Sequence, residues 1–324
     1  LVYISDHYDP LAFRYGCRWG RCGTCALMVD GRPALACKTL ARNDMIMSPL
    51  PGFPVIRDLV IDRRDYGKKL SKLRLFLERS APPRAVPEKL RPELFSDFKK
   101  TNRCLDCLSC TASCPIYNHS PSSYVGPMAL LSLAKFALDP RDEGERAKTA
   151  VFEGLYNCTL CEMCREVCPI EIDVPKVAVK RLRGLAVRRN IVPCRTHKEI
   201  AEGLLKTGKA IPRLKGSLLQ ETKEVFLVEN MVARVGLFVG CLVDYDERLD
   251  QVGRDAIEVL VQNGFSVHVP RDQVCCGLPA EVVGYTDGLE SLANRNIQLL
   301  GRLGVDYVVA LCAGCGMVLK SNYQ

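Results

Sequence analysis

The chain has 324 residues, 48% of them hydrophobic and 25% charged, with a formal net charge of +8. That is the composition of a folded protein of about two domains; it excludes a disordered chain. The longest uncharged apolar run, Tyr307–Leu319, has 13 residues, too few for a membrane helix of about 20.

The anomaly is 18 cysteines against 4 histidines. In a short secreted chain that ratio would suggest disulfides, but this length and these spacings point to metal. The chain opens at Leu1 rather than Met and shows no signal peptide, so further residues are expected upstream.

Residues 1–52 carry Cys17, Cys22, Cys25 and Cys37 among short β-like runs. The C-x4-C-x2-C spacing, with a fourth cysteine further on, is that of plant-type [2Fe–2S] ligation. Gly16, Gly20 and Gly23 suit a loop that must bring backbone N–H groups onto sulfur. A zinc loop is the competing reading, though zinc sites favour two separated CxxC pairs. Asp30-Gly31 between alternating apolar runs predicts a hairpin.

Residues 53–92 follow as a connecting segment. KKLSKLRLFLERS (68–80) predicts an amphipathic helix, and Pro82, Pro83 and Pro87 predict a linker.

Residues 93–190 hold one motif twice, CLDCLSCTASCP at 104–115 and CTLCEMCREVCP at 158–169, with a helical stretch MALLSLAKFALDP between them. Each run is the bacterial-ferredoxin pattern for a [4Fe–4S] cluster, in which the fourth cysteine serves the other cluster. One cluster is therefore expected on Cys104, Cys107, Cys110 and Cys168, the other on Cys114, Cys158, Cys161 and Cys164. Pro115 and Pro169 turn the chain away after each crossing ligand.

Residues 191–233 read as a basic, helical connector, in which Cys194 is expected to be an ordinary buried or inert thiol. From 234 to 324 the pattern becomes β-α-β-α-β, with strands VGLFVG, FSVHVP and DYVVALC and helices RDAIEVLVQNG and LESLANRNIQLLGRLG; it predicts a parallel sheet. Cys241, Cys275, Cys276, Cys312 and Cys315 then fall at the C-terminal ends of the strands, where α/β folds place ligands beside helix N-termini. Buried structural cysteines or a redox CxxC pair are the alternatives there.

Each thiolate-ligated cluster carries about −2 when oxidised, so three of them bring the charge to about +2, and a nucleic-acid role is not supported. The basic runs read as solvated helix faces or a docking patch. His119 reads as a half-exposed structural residue, and no Ser–His–Asp or paired-carboxylate site stands out. The expected chemistry is electron transfer.

LAFRYGCRWGRCGTCALMVDGRPALACKT, CLDCLSCTASCP, YVGPMALL and DPRD resemble the iron–sulfur subunits of succinate dehydrogenases and fumarate reductases, over residues 1–190. The resemblance implies a multidomain α+β chain: a truncated β-grasp [2Fe–2S] ferredoxin, then an all-α ferredoxin with two [4Fe–4S] clusters. That family's second run commonly lacks its middle cysteine and binds [3Fe–4S] beside a quinone; here Cys161 fills the position. The family's tryptophans after the first Cys-Pro are replaced by IYNHS, and the only Trp is Trp19, so the resemblance does not extend to a quinone site.

Residues 234–324 resemble the α/β CCG domain of heterodisulfide reductases, whose five cysteines hold a noncubane [4Fe–4S] centre. The fusion is similar to that in the thiol:fumarate reductase family of methanogens. It implies thiol oxidation (coenzyme M and coenzyme B) at Cys241, Cys275, Cys276, Cys312 and Cys315. Electrons would then reach the [2Fe–2S] cluster and a partner flavoprotein, which carries FAD, docks near Cys17–Cys37 and reduces fumarate.

Such enzymes carry two CCG repeats and this chain has one, so either the sequence is a fragment or the second centre is absent. The family's first hairpin is likewise expected upstream of Leu1. The expected location is the cytoplasm or a membrane surface. The rival readings are a succinate:quinone reductase subunit whose CCG domain docks on the membrane, and a zinc-rich binding protein.

Overall fold

The computed structural model describes residues 1–82, 87–89, 92–191, 194–210 and 218–323. Pro83 of the expected linker lies outside them. Contacts divide the chain into two units, Leu1–Pro193 and Cys194–Gln324.

The first unit opens with α1 (Val2–His7). Strands β1 (Ala26–Val29) and β2 (Arg32–Leu35) form the expected hairpin, closing at Val29↔Arg32. Its two central residues, Asp30 (φ 49°) and Gly31 (φ 77°), both adopt positive φ, the turn whose twist matches paired strands. β3 (Met47–Ser48) adds to the other edge of β1, and β4 (Val55–Arg57) pairs with β5 (Val60–Ile61) separately.

Helix α2 spans Arg64–Lys72, not 68–80. The amphipathic pattern runs on, but the chain leaves the helix at Leu73, and Arg74 takes φ 51°. A buried guanidinium from elsewhere, Arg146, collects the carbonyls of Leu73 (3.4 Å), Arg74 (2.7 Å) and Phe76 (2.7 Å). Local periodicity cannot reveal a partner so remote in sequence.

Helices α3 (Pro92–Thr101), α4 (Ser109–Ala112), α5 (Pro115–His119), α6 (Pro127–Ala137), α7 (Arg146–Phe152), α8 (Met163–Glu166) and α9 (Arg181–Arg188) complete this unit. α6 is its axis. Pro127 sits in its first turn, where no N–H is missed. Met128, Ala129, Leu130, Leu131, Leu133 and Ala134 are all buried, so the helix is apolar almost all round. Truncating Leu130 or Leu133 to Ala would cost about 2–5 kcal/mol.

The second unit contains α10 (Arg195–Thr207), α11 (Leu218–Glu221), β6 (Val225–Phe226), β7 (Ala233–Phe238), α12 (Cys241–Tyr245), α13 (Asp250–Gln262), β8 (Phe265–His268), α14 (Leu278–Val283), α15 (Leu289–Arg302), β9 (Tyr307–Ala310) and α16 (Ala313–Ser321). The sheet order is β6-β8-β7-β9. β7 runs parallel to β8 and β9, as the pattern predicts, but β6 adds an antiparallel edge. Two residues long, β6 is too short to leave a periodic signal. Among the described residues no helix is long and apolar enough to cross a membrane.

Candidate iron–sulfur centres

The hairpin builds the first site. Cys25 immediately precedes β1, and Cys37 lies in the turn Ala36–Lys38 directly after β2, so pairing Ala26 with Leu35 brings the two cysteines together. The Ala36 N–H donates to the Cys25 carbonyl at 3.1 Å, which fastens them. The loop before β1 curls back over this pair. The N–H groups of Trp19, Arg21 and Cys22 all donate to Cys17 Sγ at 3.3 Å, that of Cys17 to Cys22 Sγ at 3.4 Å, and that of Gly20 to Cys37 Sγ at 3.2 Å.

The four sulfurs therefore stand as two pairs, Cys17 with Cys22 and Cys25 with Cys37. Hydrogen bonds from the Thr24 hydroxyl and the Cys17 amide bring the Cys22 thiol down to about 6, whereas burial and the nearby Cys37 push Cys25 up. A Cβ on Gly16 would lie 3.2 Å from Cys22 Sγ. Amide-lined sulfurs with no room for side chains suit an anionic [2Fe–2S] core.

This loop is pressed against the next site. A Cβ on Gly23 (φ +65°) would fall 2.3 Å from the Leu105 carbonyl oxygen and 2.8 Å from Cys107 Cβ, and Cys25 and Cys107 share one core.

The repeated motif folds the same way twice. Asp106 and Leu108 in the first run, and Leu160 and Glu162 at the matching positions of the second, all have positive φ between 50° and 66°. Left-handed residues flanking the middle cysteine coil the chain tightly enough to aim three sulfurs inward, and no glycine announces them. α4 and α8 each start inside their run and carry its third cysteine.

Two small enclosed cavities result. Cys104, Cys107, Cys110 and Cys168 line one; Cys114, Cys158, Cys161 and Cys164 line the other. Each fourth cysteine has thus crossed to the opposite run. The Ile172 N–H donates to Cys168 Sγ at 3.3 Å and the Asp106 N–H to Cys104 Sγ at 3.5 Å. Burial pushes Cys104 and Cys164 up to about 12 and Cys110 well above its ordinary value. A metal core would supply the positive charge that favours the thiolate form of such buried groups.

Behind Cys158 lies a group that spacing does not reveal. The buried Arg183 guanidinium donates to the carbonyls of Cys158 at 2.6 Å and Leu155 at 3.0 Å, and lies over the Tyr156 ring. A fixed positive charge there would offset the negative charge of a core bound by Cys158.

In the second unit the five cysteines do meet. Cys241 opens α12, Cys275 and Cys276 precede α14, Cys312 caps α16 and Cys315 lies in its first turn. Cys275 Sγ is 3.5 Å from Cys241 Sγ, Cys276 is within hydrogen-bond reach of Cys275 and Cys315, and Cys315 of Cys312. The sulfurs form one chain of neighbours. The bond to Cys241 raises Cys275 to about 12, and the bond to Cys275 raises Cys276 to about 11. Five soft donors at one sheet edge fit an iron–sulfur core.

Polar residues outside the cysteine motifs fasten this site. Gln273 accepts from the Gly240 N–H at 3.2 Å and donates to the Pro270 carbonyl at 2.8 Å, tying the Cys241 loop to the one that leads to Cys275. Asn296 of α15 is wholly buried and bonds the backbone of Val274 and Cys275, while Tyr323 reaches Cys276. Sequence reasoning missed all three. One signal was available: Asn296 lies between Leu292 and Leu300 on the inward stripe of α15, where a polar residue needs a reason.

Cys194 is the N-cap residue of α10. Hydrogen bonds from the His197 backbone and from Thr196 lower its pKa. His119 is exposed at the end of α5.

Comparison with known proteins agrees with this anatomy. Family models match for a 2Fe-2S iron-sulfur cluster binding domain (residues 1–68), a 4Fe-4S dicluster domain (100–172) and a cysteine-rich CCG domain (235–320). An uncharacterised iron–sulfur protein of Methanococcus maripaludis is 43% identical over 329 residues, covering 100% of this chain and 66% of that protein. A fumarate reductase (CoM/CoB) subunit of Methanothermobacter marburgensis is 39% identical over 324 residues, covering 100% of this chain and 63% of that one.

The chain thus spans about two thirds of the length of these relatives. The fumarate reductase iron–sulfur subunit of Mycobacterium tuberculosis is 35% identical over 193 residues, covering 56% of this chain and 77% of that one. Among solved structures, the Mycobacterium smegmatis Sdh1 complex matches with a TM-score of 0.52 and 26% identity, over 59% of this chain and 83% of that chain.

Proposed function

This chain belongs to the family of fumarate reductase iron–sulfur subunits, and on that premise we propose that it carries electrons between a thiol-oxidising centre and a flavoprotein that reduces fumarate. The twelve cysteines of the first unit would hold one [2Fe–2S] and two [4Fe–4S] clusters, and Cys241, Cys275, Cys276, Cys312 and Cys315 a further four-iron centre. When bound, these groups supply one-electron carriers and, at the five-cysteine site, iron that can engage substrate sulfur.

The protein's own residues do the rest. Backbone N–H groups around Cys17 and Cys37 stabilise negative sulfur. The close approach of Gly23 to Cys107 sets how near two carriers can stand, and this contact is the observation that carries the reading. Trp19 (74% exposed) and Leu40 (91% exposed) beside the first site support docking of a FAD-bearing partner there.

The substrate pair, coenzyme M and coenzyme B thiols with fumarate, rests on the similarity to the Methanothermobacter marburgensis protein. The reaction balances. Two thiols form one S–S bond and release two electrons and two protons, and fumarate takes up both pairs to become succinate.

The test is an anaerobic assay of the full complex with both thiols and fumarate, beside iron and sulfide analysis of this subunit. Disulfide and succinate should form one to one, with about 14 iron atoms per chain. Stoichiometric zinc in place of iron would defeat the ligand assignment; full iron without thiol oxidation would defeat the substrate assignment.

A further inference from the structure

The vicinal pair Cys275-Cys276 poses a geometric problem. Adjacent side chains on an unrestrained loop sample many relative directions, yet here Cys275 faces Cys241 (Sγ–Sγ 3.5 Å) and Cys276 faces Cys315. Helix α14 begins only at Leu278, so regular structure does not impose the arrangement.

The backbone bonds explain it. Asn296 Oδ1 accepts from the Val274 N–H at 3.0 Å. Its Nδ2 donates to the Val274 carbonyl at 3.0 Å and reaches that of Cys275 at 3.4 Å. The same amide donates to Tyr323 Oη at 3.0 Å, and that hydroxyl donates onward to the Cys276 carbonyl at 3.2 Å. The Cys275 N–H is taken by the Gly208 carbonyl at 2.9 Å. Nearly every backbone polar group of residues 274–276 is therefore held by a partner remote in sequence, and one wholly buried amide organises three of them.

Both ends of the relay are secure. Asn296 sits mid-helix on α15, a rigid base. Tyr323 packs against the apolar core that also holds Cys275, Cys276 and Cys315.

We infer that Asn296 and Tyr323 are positioning residues of the five-cysteine centre: by fixing the peptide groups of Val274, Cys275 and Cys276, they set the vicinal thiols so that Cys275 reaches Cys241 and Cys276 reaches Cys315 while the two stay in reach of each other. The inference rests on the reading that these cysteines hold an iron–sulfur centre.

The experiment uses the full chain, purified anaerobically, with iron content, the EPR spectrum and the midpoint potential of the C-terminal centre as readouts. Tyr323→Phe keeps the ring and removes only the relay's last bond. It should retain all its iron but alter the centre's EPR line shape and displace its reduction equilibrium by up to about tenfold, the worth of one hydrogen bond. Asn296→Ala should lose the centre's iron while the signals of the other three clusters persist.

A merely structural role would lower the melting temperature without moving the potential in Tyr323→Phe. If both variants keep the wild-type spectrum and potential, the positioning role is wrong and the ligand assignment stands. If wild-type protein shows three clusters and nothing in this unit, the ligand assignment fails and takes the inference with it.

Discussion

A methyl group at Gly23 would fall where the first two sites touch. Two terms set its cost. The residue has φ +65°, and an L side chain in the left-handed region costs about 1–2 kcal/mol. The new Cβ would also lie 2.3 Å from a backbone oxygen, Leu105 O, and 2.8 Å from Cys107 Cβ, neither of which is the free end of a flexible side chain. Overpacking of that kind adds about 1–3 kcal/mol.

Gly23→Ala should therefore destabilise the first unit by about 2–5 kcal/mol. Gly31→Ala is the matched control. It has a similar φ of +77° with nothing within 4 Å of the Cβ, so only the first term, about 1–2 kcal/mol, applies. The assay is anaerobic guanidinium unfolding of both variants, with EPR of the [2Fe–2S] cluster and of the cluster expected on Cys107. Gly23→Ala should unfold at the lower denaturant concentration and perturb both signals, because the loop and the Cys107 run can separate only by moving ligands. Equal midpoints for the two variants, with unchanged spectra, would refute the close approach as a functional constraint.

Further tests address the other sites. If Cys161 is a cluster ligand, anaerobic wild-type protein should show no [3Fe–4S] EPR signal and Cys161→Ala should create one; a strong signal in the wild type would favour a quinone-linked subunit instead. Arg146→Met should cost about 3–5 kcal/mol in unfolding experiments, because it leaves the buried Asp142 carboxylate without its ion pair. Burial alone would raise Asp142, but its bonds to Arg146 hold it below the usual carboxylate range. Its contribution to stability is thus complete above about pH 4, its unfolded value, and disappears as pH falls through the lower folded value. Asp142→Asn should flatten that acid limb in a pH series of melts, and an unchanged limb would assign it to other groups. On the proposed function, Cys276→Ala should abolish thiol oxidation yet spare fumarate reduction by an artificial one-electron donor; loss of both together would put the CCG unit on the common path or make it hold the complex together.

Cysteine spacing made the grouping of the cysteines legible, because a rigid inorganic core would impose its size on the sequence. Parallel strands β7, β8 and β9 were legible because each is a short apolar run between helix patterns. What escaped notice is what depends on distant partners. The end of α2 is decided by Arg146, and the setting of Cys275 and Cys276 by Asn296 and Tyr323. Non-glycine residues such as Leu108 and Glu162 adopt left-handed backbone that composition does not advertise.

The exchange of fourth cysteines has a consequence for biosynthesis. Cys110 leaves the ribosome 58 residues before Cys168. At about 5–20 residues per second, three thiols wait roughly 3–12 s for the fourth. The first run emerges with four cysteines of its own, yet if each cluster takes its fourth ligand from the other run, neither site is complete until the second run follows and α6 has brought the two together. On that ligand assignment, a chain truncated before Cys158 would forfeit both clusters rather than one.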